Sequence, residues 1–153
     1  MDVVAVVAFV LLLLVLLIVG RLMYVLVIAP SKKTTTYAVG RDFARDTMVR
    51  EQSLVRFLGL EAGGEPSAGN GHLALSTAKL GYYSTKSSAN IVVPLRQIRE
   101  VGLVEEHLGR STGRPLLLIA FDTDAGRDSG AFHLPYPDEW KLAIENVLKN
   151  ELY

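Results

Sequence analysis

The 153-residue chain contains no cysteine, which excludes disulfides, thiolate metal sites and cysteine nucleophiles while leaving the compartment open. It has three histidines, His72, His107 and His133, and none stands at an HxH or HxxxH spacing. There is no G-x-S-x-G turn to raise a nucleophilic serine. The glycine-rich stretch GGEPSAGNG lacks the Lys-Ser/Thr of a phosphate loop. The acidic run DTDAGRDS, with Asp122, Asp124 and Asp128, lacks the glycine at position 6, the bidentate glutamate at position 12 and the flanking helices of a calcium loop; between two strands it reads as a hairpin turn. No enzyme, metal or cofactor is expected. Net charge is also absent, with 16 basic and 16 acidic residues, but the two halves differ. Seven basic residues face four acidic ones up to Leu60, and nine face twelve from Glu61 onward. The positive excess sits beside an apolar run rather than on a folded face, which excludes a nucleic-acid binder. No repeat of a solenoid kind appears, and the length suits one domain with an appendage.

That appendage is the clearest feature present. Val3 to Gly20 is eighteen residues without a charge, enough for a transmembrane helix. A signal peptide fits less well, because the run is long and Met-Asp rather than a basic segment precedes it. If the hydrocarbon core holds Val3 to about Leu22, Arg21 reaches the interface and its guanidinium snorkels into the headgroups. Tyr24 then lies in the aromatic belt, and Lys32 and Lys33 face the anionic leaflet. The basic residues on the C-terminal side place the N terminus outside and the C-terminal domain in the cytoplasm, single-pass. Leu22, Met23, Val25, Leu26 and Ile28 would emerge from the core still apolar, and they are the candidates for packing on a membrane protein partner or in a homo-oligomer.

Pro30 ends the helix. This gives three parts: a transmembrane helix over 1–30, a polar juxtamembrane connector over 31–52 and a folded domain over 53–153. In the connector, RDFARD suggests a short helix weakened by like charges four apart. The domain reads as seven short strands, Ser53 to Leu60, His72 to Ser76, Lys79 to Tyr83, Asn90 to Val93, Arg99 to Val104, Leu116 to Phe121 and Ala131 to Leu134. Gly, Pro, Asn, Asp and Ser clusters separate them, which indicates an antiparallel sandwich or barrel. In PDEWKLAIENVLKNELY, the residues Trp140, Ala143, Ile144, Val147 and Leu148 form one apolar stripe of an amphipathic helix. Asp138 and Glu139 complement the positive end of its dipole. The stripe is expected to cover an open end of the barrel, with Trp140 as a core plug.

The piece GHLALSTAKLGYY resembles the G-x-L-x-L-[ST]-x-x-x-L-x-[FY] hairpin of pleckstrin-homology-like (PH-like) domains of the GRAM and bacterial PH type, through Gly71, Leu73, Leu75, Ser76, Leu80 and Tyr82. IVVPLRQIREV is similar to the next segment of that family, through Ile91, Val93, Pro94, Leu95, Ile98 and Val101. The resemblance implies a mainly β fold, a seven-stranded antiparallel PH-like barrel capped by the C-terminal helix. It also implies a binding or scaffolding role without a small-molecule substrate. Well-known members hold phosphoinositides through basic residues around the first strand-strand loop. Here that loop, EAGGEPSAGNG, carries Glu61 and Glu65 and no basic residue. Lys79, Lys86, Arg96, Arg99, Arg110 and Arg114 lie elsewhere, and of these Arg96, Arg99, Arg110 and Arg114 are the candidate lipid or anion contacts. The expected function is a membrane-anchored, non-catalytic interaction module, scaffold or small subunit of a membrane assembly. The alternative is a lipid-headgroup-binding domain at the cytoplasmic leaflet, its helix held in the bilayer.

Overall fold

The computed structural model describes residues 3–23 and 38–151, with side chains over 9–22 and 38–150. It has two compact units, Met1–Thr34 and Thr35–Tyr153. The first contains helix α1, Val3–Met23. Its described side chains, from Phe9 to Leu22, are all exposed, and they are apolar on every side apart from Arg21. Among the described residues no helix is long and apolar enough to cross a membrane. This overturns the expected transmembrane segment, and with it the single-pass topology and the placing of the two ends on opposite sides of a bilayer. Arg21 falls in the last turn of α1, so a permanent charge interrupts the apolar surface before the helix ends. Tyr24, Val25, Leu26, Ile28, Lys32 and Lys33, together with the Met23 side chain, lie outside the described residues.

The second unit is mainly β. Seven strands, β1 (Met48–Leu60), β2 (Gly69–Ser76), β3 (Lys79–Ser84), β4 (Asn90–Pro94), β5 (Ile98–His107), β6 (Arg110–Thr123) and β7 (Gly126–His133), precede helix α2 (Pro137–Glu151). They form one sheet in the order β4-β3-β2-β1-β7-β6-β5, with every pair antiparallel. The seven strands and the closing helix are those expected from the alternation in the sequence. Each strand is longer or better bounded than the apolar run that marked it. The sheet also takes in residues 48–52, which the sequence reading assigned to the connector.

Period-two alternation sorts the side chains. Val55 and Phe57 of β1, Leu73 and Leu75 of β2, Tyr82 of β3, Val93 of β4, Leu117, Ile119 and Phe121 of β6 and Phe132 of β7 share one core. The sheet is therefore curled round a common interior, with β4 and β5 as its two edges. Trp140, Ile144 and Val147 of α2 enter the same core, and Trp140 is fully buried. This is the plug expected of the apolar stripe. Arg50 stacks its guanidinium 5.3 Å from the Trp140 ring centre and bonds Glu139 at 2.8 Å, fixing the start of α2.

The other face of the sheet has two coverings. At one end a helical turn over 38–42 lays Val39 and Phe43 on Ala74 and Tyr83. The Tyr83 hydroxyl donates to Asp42 at 2.9 Å, and Lys79 pairs with Asp46 at 3.0 Å. Burial raises the Tyr83 pKa, and the Asp42 carboxylate raises it further. Asp42 itself sits below its ordinary value: burial opposes this, but hydrogen bonds from Arg41 and Tyr83 and the charges of Arg41 and Lys79 outweigh it. At the other end Leu58, Leu116 and Ala131 form a second cluster with Val104 and Leu118 packed against it.

A cleft of unpaired cations as the candidate functional site

The second cluster exists because the β5-β6 hairpin is long. The sequence reading placed a turn across GRSTGRP, but β6 begins at Arg110 and the turn is only Leu108-Gly109, both at positive φ (53° and 70°) between the paired residues His107 and Arg110. Two residues at positive φ are what a tight hairpin turn needs. The pairing of β6 with β7 starts only at Leu117, opposite Phe132. Residues 110–116 therefore run past the ladder, and their tip reaches β1. There His107 Nε2 lies 3.0 Å from the Gly59 carbonyl oxygen.

Between this tip and the sheet lies an open cleft of about 750 Å³. Its floor is a cross-strand row, with Arg56 opposite Asn70 on one side and His133 on the other. Lys86 stands beside Gly69 at the end of the row, and Arg110, Ser111 and Thr112 form the wall supplied by the hairpin. No carboxylate lines the cleft. Among the described residues none of Arg56, Lys86 and Arg110 has an ion-pair partner, whereas Arg50, Lys79, Arg99, Arg127 and Lys141 are each paired. Three unpaired cations in one concavity, flanked by hydroxyl and amide groups, can bind an anion through charge-assisted hydrogen bonds.

Tyr82 supports the floor from beneath. Its hydroxyl donates to the Gly69 carbonyl at 3.1 Å, and burial pushes its pKa up to about 12. The ring lies so close to Gly71 that a Cβ there would meet it at 2.4 Å. Glycine at 71 is thus a packing requirement of the core on which the cleft rests.

A second cleft, of about 330 Å³, has the opposite character. Glu65, Asp122, Asp124 and Asp128 line it, with Leu60, Pro66, Asn90 and Val93 nearby and no basic residue. Among the described residues no group of three His, Asp or Glu is placed to hold a metal ion. A third cleft, about 500 Å³, is apolar, formed by Leu103, Pro115, Leu134 and Tyr136 with Arg114 and Asp138 at its rim.

The four arginines singled out as anion contacts are not brought together. Arg110 is in the basic cleft, while Arg114 edges the apolar one. Arg99 pairs with Asp122, and Arg96 is exposed on the 3-10 turn Leu95–Gln97. Arg21 and Leu22 are exposed on α1, in the other unit. Sequence reasoning missed Arg56 and His133, and it left Lys86 among scattered charges. The available signal was parity: Arg56 falls between the inward-facing Val55 and Phe57, so it must point out of the barrel. Of the histidines, His72 contacts Ser53 Oγ through Nδ1 at 3.0 Å and Glu51 at 3.5 Å, and His107 is buried.

No protein-family model matches the chain, and no curated protein matches it. Solved structures do. A chain of the 8S snRNP assembly intermediate superposes with a TM-score of 0.54 at 11% identity, covering 67% of this chain and 82% of that one. The Vps36 N-terminal PH domain gives 0.53 at 16% identity, over 71% and 83% of the two chains. The C-terminal domain of an unknown protein from Leishmania infantum gives 0.53 at 12% identity, over 76% and 96%. At such identities the likeness speaks to architecture alone, and the architecture is PH-like.

Proposed function

We propose that the chain is a non-catalytic interaction module of the GRAM or bacterial PH type that binds an anionic group in the cleft of Arg56, Lys86 and Arg110. The observation that carries this reading is the convergence of three unpaired cations in a concavity without a carboxylate. It fits a fold that hosts binding domains, and one of the similar structures is described as a PH domain. Helix α1, apolar on every described face, gives the module a second contact surface for another protein or a second copy of the chain.

Retention of the full chain on phosphocellulose tests the anionic reading. Arg56→Ala with Arg110→Ala is expected to elute at clearly lower salt, while Arg96→Ala with Arg114→Ala elutes with the unaltered chain. Equal elution of both double variants would refute it.

A lipid headgroup is one bearer of such a group, and one observation favours it. Leu108, at the tip of the hairpin next to Arg110, is half exposed, so an apolar tip stands beside the cationic cleft, as suits a surface that is anionic outside and apolar within. Sedimentation with anionic vesicles, comparing Leu108 with Leu108→Ser, tests this second reading, and equal sedimentation would remove it.

A further inference from the structure

We infer that the cleft is a two-jawed site for a compact phosphate- or sulfate-type oxyanion group, and that His107, which does not line it, is the positioning residue that sets the hairpin jaw against the sheet jaw. This rests on the anion-binding reading above and adds what assembles the site.

The sheet jaw is rigid, because Asn70, Arg56 and His133 sit at paired positions of three adjacent strands. The hairpin jaw is not held by the ladder, since residues 110–116 lie beyond the last pair with β7. Two contacts hold it. Leu116 and Val104 pack on Leu58 and Ala131 further back, and His107 bonds Gly59 close to the tip. A carbonyl only accepts, so Nε2 carries the hydrogen and donates to it. That carbonyl is free for capture because β1 breaks register with β7 between Phe57 and Leu60, with Gly59 at φ 110°. A Cβ on Gly59 would already touch Leu108 Cδ1 at 3.4 Å. The glycine therefore serves both the backbone turn and the close seating of the tip. His107 is three residues from Arg110, so its bond to β1 fixes how far the Arg110, Ser111 and Thr112 wall stands from Arg56.

The ligand class follows from where the unpaired charge stops. Among the described residues Arg99, Arg127, Arg50, Lys79 and Lys141 are neutralised by carboxylates, and Arg96 and Arg114 do not line the cleft, so the charge that converges there is that of Arg56, Lys86 and Arg110. Three cations with Asn70, Ser111 and Thr112 around one concavity suit a small group with several acceptor oxygens.

The test is calorimetric titration of the full chain with inorganic pyrophosphate at low salt. Arg56→Ala is expected to weaken binding about tenfold or more. His107→Gln places an amide nitrogen near the position of Nε2 and is expected to bind within about twofold, whereas His107→Asn, one methylene shorter, is expected to lose about five- to tenfold. Amide shifts of residues 109–112 in the free Asn variant should move, and those of the Gln variant should not. Asn binding like the parent while Arg56→Ala fails would overturn the positioning role and leave the anion site standing. Equal binding by all variants, or no binding, would overturn both. An Asn variant that does not fold would make His107 structural and end the proposal. Phosphatidylcholine vesicles with and without phosphatidic acid distinguish the source: co-sedimentation that pyrophosphate displaces assigns a lipid-borne phosphate, and pyrophosphate binding alone assigns a free one, each supporting the site.

Discussion

The basic and acidic clefts draw on the same strands yet carry opposite charge. β1 gives Arg56 to the first and Leu60 to the second, only four residues further on. The β1-β2 loop gives Glu65 and Pro66 to the acidic cleft, and the start of β2 gives Gly69 and Asn70 to the basic one. A chain with no net charge has thus sorted its charges by register. Carboxylates gather where the 61–66 loop meets β4 and the β6-β7 turn. Unpaired cations gather where the β5-β6 hairpin bends over β1. Glu61 and Asp128 are also tied into the loop itself, Asp128 accepting from the Ala62 and Ser129 amides and Glu61 from the Ser129 hydroxyl at 2.8 Å. Composition cannot show such sorting, because it depends on which residues the ladder places side by side.

The contrast is broken most strongly by reversing one side. Arg56→Glu with Arg110→Glu should turn the basic cleft acidic and reduce pyrophosphate affinity by about a hundredfold or more, since like charge replaces two charge-assisted contacts; titration calorimetry reads the change. The scaffold beneath both clefts is tested by Gly71→Ala. A Cβ there would meet the Tyr82 ring at 2.4 Å and the Tyr83 carbonyl at 2.5 Å, so we expect a loss of about 2–3 kcal/mol in urea unfolding. Tyr82 gives a pH effect of known sign. Its phenol titrates near 12 in the fold and near 10 when unfolded. The stability it carries is therefore complete below about pH 10 and declines as pH rises toward 12, and Tyr82→Phe should make that limb shallower, leaving the part due to Tyr83. The smallest effect is expected on the acidic side: Asp122→Asn with Asp124→Asn should leave pyrophosphate affinity within about twofold, because these carboxylates line the other cleft and act only through screened distance.

Much of the fold was legible. Alternation at Val55 and Phe57, Leu73 and Leu75, Leu117 and Ile119 marked buried faces, and the spacing of Trp140, Ile144 and Val147 marked a helix that closes the core. The site was legible only in part. The absence of cations from the 61–71 loop was visible, and the acidic cleft bears it out in space. Arg110 was singled out, but its partners Arg56 and Lys86 lie 54 and 24 residues away in the chain, joined by a hairpin whose turn is two residues rather than the glycine-rich stretch that drew attention. The helix was misjudged for a different reason: an apolar run says that a surface needs covering, not what covers it.

The most direct measurement is an amide chemical-shift map of the full chain titrated with pyrophosphate. Shifts confined to residues 56, 69–70, 86, 109–112 and 133 are the expected result. Shifts centred on 65 and 122–128, or none at all, would contradict the assignment of anion binding to the basic cleft.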